Sequence, residues 1–78
     1  MNTLNNYNVK LVAENIRNTR VGLAYSQEYL AAKLNVSQNT YSKIELGYVK
    51  LTLDRFIKIC CVLEIDPAGL INAVKASA

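Results

Sequence analysis

Residues Gln27 to Gly47 read QEYLAAKLNVSQNTYSKIELG. Two short helical patterns lie in this stretch, separated by Asn35-Val36. Ser26 stands just before the first and is a good N-cap; Leu30, Ala31 and Leu34 then turn inward. Glu28, in the opening turn, suits the positive end of the helix dipole. Asn35 tolerates the left-handed conformation that a tight inter-helix turn needs. Ser37 caps the second pattern and Gly47 ends it. A turn of about three or four residues does not let two helices lie antiparallel. It makes them cross steeply, which is helix-turn-helix geometry. Ala31 is small where the two backbones approach.

The second of these helices has two unlike faces. At about 100° per residue, Gln38, Asn39, Ser42, Lys43 and Leu46 share one arc, and Thr40, Tyr41 and Ile44 the opposite one. The apolar arc packs inward. The outer arc holds amides, a hydroxyl and a lysine, and no acid among Gln38, Asn39, Ser42 and Lys43. An ordinary solvated face usually carries Glu. Gln and Asn bond adenine N6 and N7, and Lys reaches guanine O6 and N7. These residues occupy the first turns of the helix, the end that points into the groove when such motifs dock.

Outside this stretch the pattern stays helical. Val9, Val12, Ala13, Ile16 and Val21 predict a first helix that Gly22 ends. Thr52 caps a fourth, with Leu53, Phe56, Ile57, Cys60 and Leu63 as its inward face. Asp66-Pro67 opens a fifth by the N-cap, Pro-at-N1 arrangement, with Leu70, Ile71 and Val74 apolar. Nothing alternates as a strand does. The fold class is therefore all-α: a compact five-helix bundle around a central helix-turn-helix. Residues 1–8 read as a loose lead-in, with Tyr7 able to pack down, and 9–78 as one domain.

The chain has 78 residues, of which 51% are hydrophobic and 19% charged. These are the proportions of one small folded domain. With no histidine, neither a Ser-His-Asp arrangement nor a two-Cys, two-His zinc site can form. No metal cluster or Gly-rich phosphate loop is visible, so neither a cofactor nor an enzymatic activity is expected. Adjacent Cys60 and Cys61 are not a disulfide framework and fit a reducing cytosol. Cys60 reads as core filler rather than a sensor. No signal peptide or membrane-spanning run is seen, so a cytoplasmic protein without membrane contact is expected. Nine Lys and Arg against six Asp and Glu give a net charge of +3, which suits either solubility or a polyanionic partner.

The segments IRNTR at Ile16 to Arg20, YSQEYLAAKLNVSQNTYSKIELG at Tyr25 to Gly47 and TLDRFIKICCVLEIDPAGLI at Thr52 to Ile71 resemble the Cro and phage-repressor (XRE-like) class of helix-turn-helix transcriptional regulators. The resemblance implies a lambda-repressor-like fold and sequence-specific binding of double-stranded DNA as a repressor or controller. It places Gln27 near the DNA backbone, and Gln38, Asn39 and Lys43 at base-reading positions. Ser42 lies among them, touching a base or a phosphate. It makes Ser37 a phosphate contact as well as a cap. It runs the loop after Gly47 along the phosphates, with Lys50 and the Tyr48 hydroxyl as contacts, unless the Tyr48 ring lies on the core. It also implies an ion pair between Arg20 and Glu45 that fixes how the recognition helix is presented. Lys10, Arg17, Lys33 and Lys50 form the pool for phosphate contacts.

Three residues depart from the class. Asn35 stands where Gly is commoner. Tyr29 replaces a Glu, which removes a capping box with Ser26. Tyr41 replaces a smaller branched residue, and its hydroxyl needs a partner or the surface. A homodimer on two half-sites is expected, with Ile71 and Val74 either closing the core or joining a symmetric interface. The rival reading is an antitoxin or anti-regulator whose helices bind a partner protein. A large apolar patch on the third helix would favour it.

Overall fold

The computed structural model describes residues 9–71. The expected lead-in at 1–8, with Tyr7, and Val74 lie outside them. The helices are α1 (Val9–Gly22), α2 (Gln27–Leu34), α3 (Gln38–Leu46) and α4 (Leu53–Leu63). A fifth, α5, is helical over 67–71. There is no strand among the described residues.

Each N-cap is made by the residue the sequence points to. The hydroxyl of Ser26 accepts from Tyr29 N at 2.9 Å, that of Ser37 from Thr40 N at 3.0 Å, and that of Thr52 from Arg55 N at 3.2 Å. Asp66 Oδ1 accepts from Ala68 N at 2.8 Å, one residue beyond Pro67. These bonds satisfy amide donors that a helix start leaves without partners.

The helix ends rely on left-handed residues, and three of the four are not glycine. Asn35 ends α2 at φ 58° and Gly47 ends α3 at φ 77°. A Cβ on Gly47 would meet Lys10 at ordinary contact distance, 3.6 Å, so φ rather than space demands the glycine. Gly22 closes α1, as expected, but the left-handed residue is Ala24, at φ 61°. Its position is fixed by Tyr25 N donating to Arg20 O and Ala24 N to Val21 O. Glu64 does the same after α4, at φ 54°.

The core gathers Ile16, Leu30, Ala31, Tyr41, Ile44, Phe56, Ile59, Cys60, Leu63 and Leu70. Helix α3 packs on α1 and α2, and α4 packs on α2 and α1. Asn15 Nδ2 donates to Leu70 O at 2.7 Å and ties α5 to α1. Four apolar residues expected inside are exposed instead: Val9, Val21, Leu53 and Ile57. In α1 the buried line runs Ala13, Ile16, Arg20, so the arginine takes the core-facing place and turns Val21 about 100° away. In α4 the buried arc is Phe56, Ile59, Cys60, Leu63. Ile57 falls at its edge, Leu53 overhangs the first turn, and Ile59 takes a core position that the sequence reading left out. Cys60 is buried and Cys61 exposed. Burial pushes the Cys60 thiol above its ordinary value.

Candidate nucleic-acid interface

Helix α3 is held by its buried side chains and presents the rest. Tyr41 and Ile44 are buried, and Gln38, Asn39 and Lys43 are exposed. Ser42 is half-buried at the edge of that strip. The expected base-reading group is therefore together on one open face. The one acid of α3, Glu45, is not on that face.

Glu45 is folded into the molecule, with its side chain 1% exposed and that of Arg20 10%. Arg20 Nε donates to Glu45 Oε2 at 2.6 Å and the guanidinium's second nitrogen to Oε1 at 3.1 Å. This two-pronged fork suits a planar guanidinium. The remaining nitrogen of Arg20 donates to Tyr25 O at 2.7 Å. One residue of α1 thus binds both α3 and the turn that leads into α2. Burial alone would raise the Glu45 carboxyl, but Arg20, aided by the Tyr41 hydroxyl and then the amide of Gln27, holds it below its ordinary value. Arg20 is in turn raised, first by its hydrogen bond to Glu45. The exposed-pair alternative, two solvated charges worth little, does not describe this geometry.

Gln27 opens α2 and its Nε2 donates to Glu45 Oε1 at 3.0 Å. An amide nitrogen has two hydrogens, so one remains for a phosphate. Ser37 Oγ, besides capping, donates to Thr40 Oγ1 at 2.9 Å. A phosphate at Ser37 would have to take that proton from a partner that water can readily replace. Tyr48 is 77% exposed, so its ring does not lie on the core. Its amide N donates to Lys43 O at 2.9 Å and closes the end of α3. Lys50 is exposed, and the stem of Lys10 runs beside Gly47. Tyr41 is fully buried, and its hydroxyl lies beside the Arg20–Glu45 pair, interacting with both groups though not in full hydrogen-bond geometry with either. Burial pushes its phenol far above the ordinary value.

The Helix-turn-helix family model matches residues 16–70, which takes in this geometry apart from Lys10. The chain belongs to the helix-turn-helix family. Among solved structures, this helix-turn-helix chain is similar to the clp gene regulator ClgR from Corynebacterium glutamicum. That match has a TM-score of 0.82 and 19% identity, over 87% of this chain and 72% of that one. It is also similar to the restriction-modification controller protein C.AhdI from Aeromonas hydrophila. There the TM-score is 0.71 and the identity 27%, over 80% of this chain and 92% of that one. No curated protein is a significant match. By family and structural likeness this helix-turn-helix protein is a DNA-binding transcriptional regulator.

Two features of the helix-turn-helix surface escaped the sequence reading. One is the bond from Gln27 to Glu45, for which the spacing along the chain carries no signal. The other is a tilted ring contact at the start of α2: the Tyr25 and Tyr29 ring centres lie 4.7 Å apart at 42°, and Lys33 Nζ is 5.5 Å from the Tyr29 ring centre. Tyr29 and Lys33 are i, i+4 neighbours, so that half was open to inference. Among the described residues no group of His, Cys, Asp and Glu could hold a metal ion. No helix among them is long and apolar enough to cross a membrane.

Proposed function

We propose that this regulator binds double-stranded DNA sequence-specifically, laying α3 in the major groove. The observation that carries the reading is the exposed, acid-free strip of Gln38, Asn39 and Lys43 on a helix whose own carboxylate is turned inside. Gln38 and Asn39 supply the two-pronged amides that suit adenine, and Lys43 suits guanine. Ser42 contributes from the edge, to a base or a phosphate. Gln27, Ser37, Tyr48 and Lys50 hold the phosphates and set the register of α3 on the duplex. The Arg20–Glu45 pair presents the helix and touches no DNA.

Regulation follows from occupancy: the bound protein blocks or recruits, and no bond is made or broken. The likeness to a restriction-modification controller supports a controller role beside that of repressor. A single domain offers few phosphate contacts, and two half-sites read by a homodimer would supply the missing affinity. The reduced cysteines and the DNA target fit the cytoplasm. A protein partner bound through α3 is the weaker reading, because the exposed strip of that helix is polar up to Leu46.

Selection from a random duplex pool tests this. Enrichment of one motif with two-fold symmetry is expected. A pool that stays random at low ionic strength would overturn the reading.

A further inference from the structure

We infer that the exposed face of α4 bearing Leu53 and Ile57 is where a second copy of this chain docks. The inference rests on the homodimer reading above and names its surface. Leu53 is 73% exposed and Ile57 45%. They stand one turn apart on the same strip, and Cys61, the next residue on it, is exposed too. At the Leu53 end the strip runs into an open apolar groove of about 280 Å³, lined by Val9, Val12, Leu51, Leu53, Phe56 and Ile71. Burying such a strip is favourable in proportion to the apolar area removed from water.

The charges beside it select the occupant. Asp54 and Lys58 follow Leu53 and Ile57 by one position each and pair at 3.2 Å, both well exposed. A two-fold contact lays a patch on itself. With two α4 helices antiparallel, Leu53 comes opposite Ile57 of the second copy, and Asp54 opposite Lys58 of the second copy. Both rows reverse onto themselves in nearly one register, so the apolar row and the charged row match together. A row of balanced charge also gives a polyanion no reason to bind there. Ile71 lines the groove beside this strip.

The test is sedimentation equilibrium on the full chain without DNA, so that its outcome does not depend on operator binding. Wild type should show a concentration-dependent monomer–dimer equilibrium. Ile57→Glu should raise the dissociation constant at least about 30-fold, with the helical circular dichroism of the monomer retained. Asp54→Lys and Lys58→Asp should each weaken the dimer about tenfold by setting like charges face to face. The double swap, Asp54→Lys with Lys58→Asp, should restore it. A dimer undisturbed by Ile57→Glu, or a double swap no better than either single, would place the interface elsewhere and leave the homodimer reading standing. A wild type monomeric at every concentration would overturn both. In that case, a thermal midpoint lowered by removing residues 1–8 or 72–78 would assign the groove to the chain's own ends.

Discussion

Lys43 and Lys50 carry the same charge but are proposed for different tasks, and this difference can be measured. Lys43 sits on the exposed strip of α3 beside Asn39. If it reads a guanine, Lys43→Ala costs about 1–3 kcal/mol on the preferred duplex and relaxes choice at one base pair. Uniform weakening on all duplexes would make it a phosphate contact. Lys50 lies in the loop after α3, so Lys50→Ala should shallow the logarithmic salt dependence of binding by about one unit with base preference unchanged. An unchanged slope would remove Lys50 from the phosphates. Glu45 is a different kind of residue, since its hydrogen bonds end inside the protein. Its carboxyl is lower in the folded state than the ordinary 4.5. The stability this gives is fully present above the unfolded value and is lost as pH falls through the folded one. Acid should therefore destabilise wild type below about pH 4.5 more steeply than Glu45→Gln, measured by urea unfolding from pH 6 down to pH 3. Parallel curves would mean the carboxylate is not engaged in solution.

At the scale of elements, what the sequence disclosed was the punctuation. Ser26, Ser37, Thr52 and Asp66 announce four helix starts because a short side-chain oxygen before an apolar run has one efficient use. Asn35 and Gly47 announce two ends for a similar reason. Ala24 and Glu64 announce nothing: neither residue type favours φ near 60°, and each is put there by the backbone bonds that end its helix. Glycine lacks the Cβ that makes this conformation costly. Ala24→Gly and Glu64→Gly should each stabilise the fold by about 0.5–1 kcal/mol, read as a higher urea midpoint at unchanged slope. Lower midpoints would mean that those residues are not left-handed. The inward face of α4 was harder to read. Leu53, Ile57 and Ile59 are all apolar, and periodicity alone does not say which arc the rest of the molecule will cover. The rotation is set by Phe56, Ile59, Cys60 and Leu63 meeting α2 and α1, information that lies outside the helix itself.

At the scale of the whole molecule, one α1 residue organises the helix-turn-helix. Arg20 binds the Glu45 carboxylate of α3 and the Tyr25 carbonyl before α2, and Gln27 joins the same carboxylate. The two halves of the motif are therefore set against each other from inside, leaving the outer strip free of structural duties. The pairing of Arg20 with Glu45 was legible only through resemblance to relatives; twenty-five positions of separation carry no local signal. The strip itself was legible from the sequence, because a helix wheel needs no knowledge of the neighbours once one face is apolar. That strip is the account's central claim. Its most direct test is a fluorescence anisotropy titration of the selected duplex and all its single-base-pair variants against wild type, Gln38→Ala and Asn39→Ala. The account predicts that each substitution erases discrimination at its own base pair in each half-site and leaves the other positions as they were. Discrimination retained at every position, with affinity lowered evenly or not at all, would contradict it.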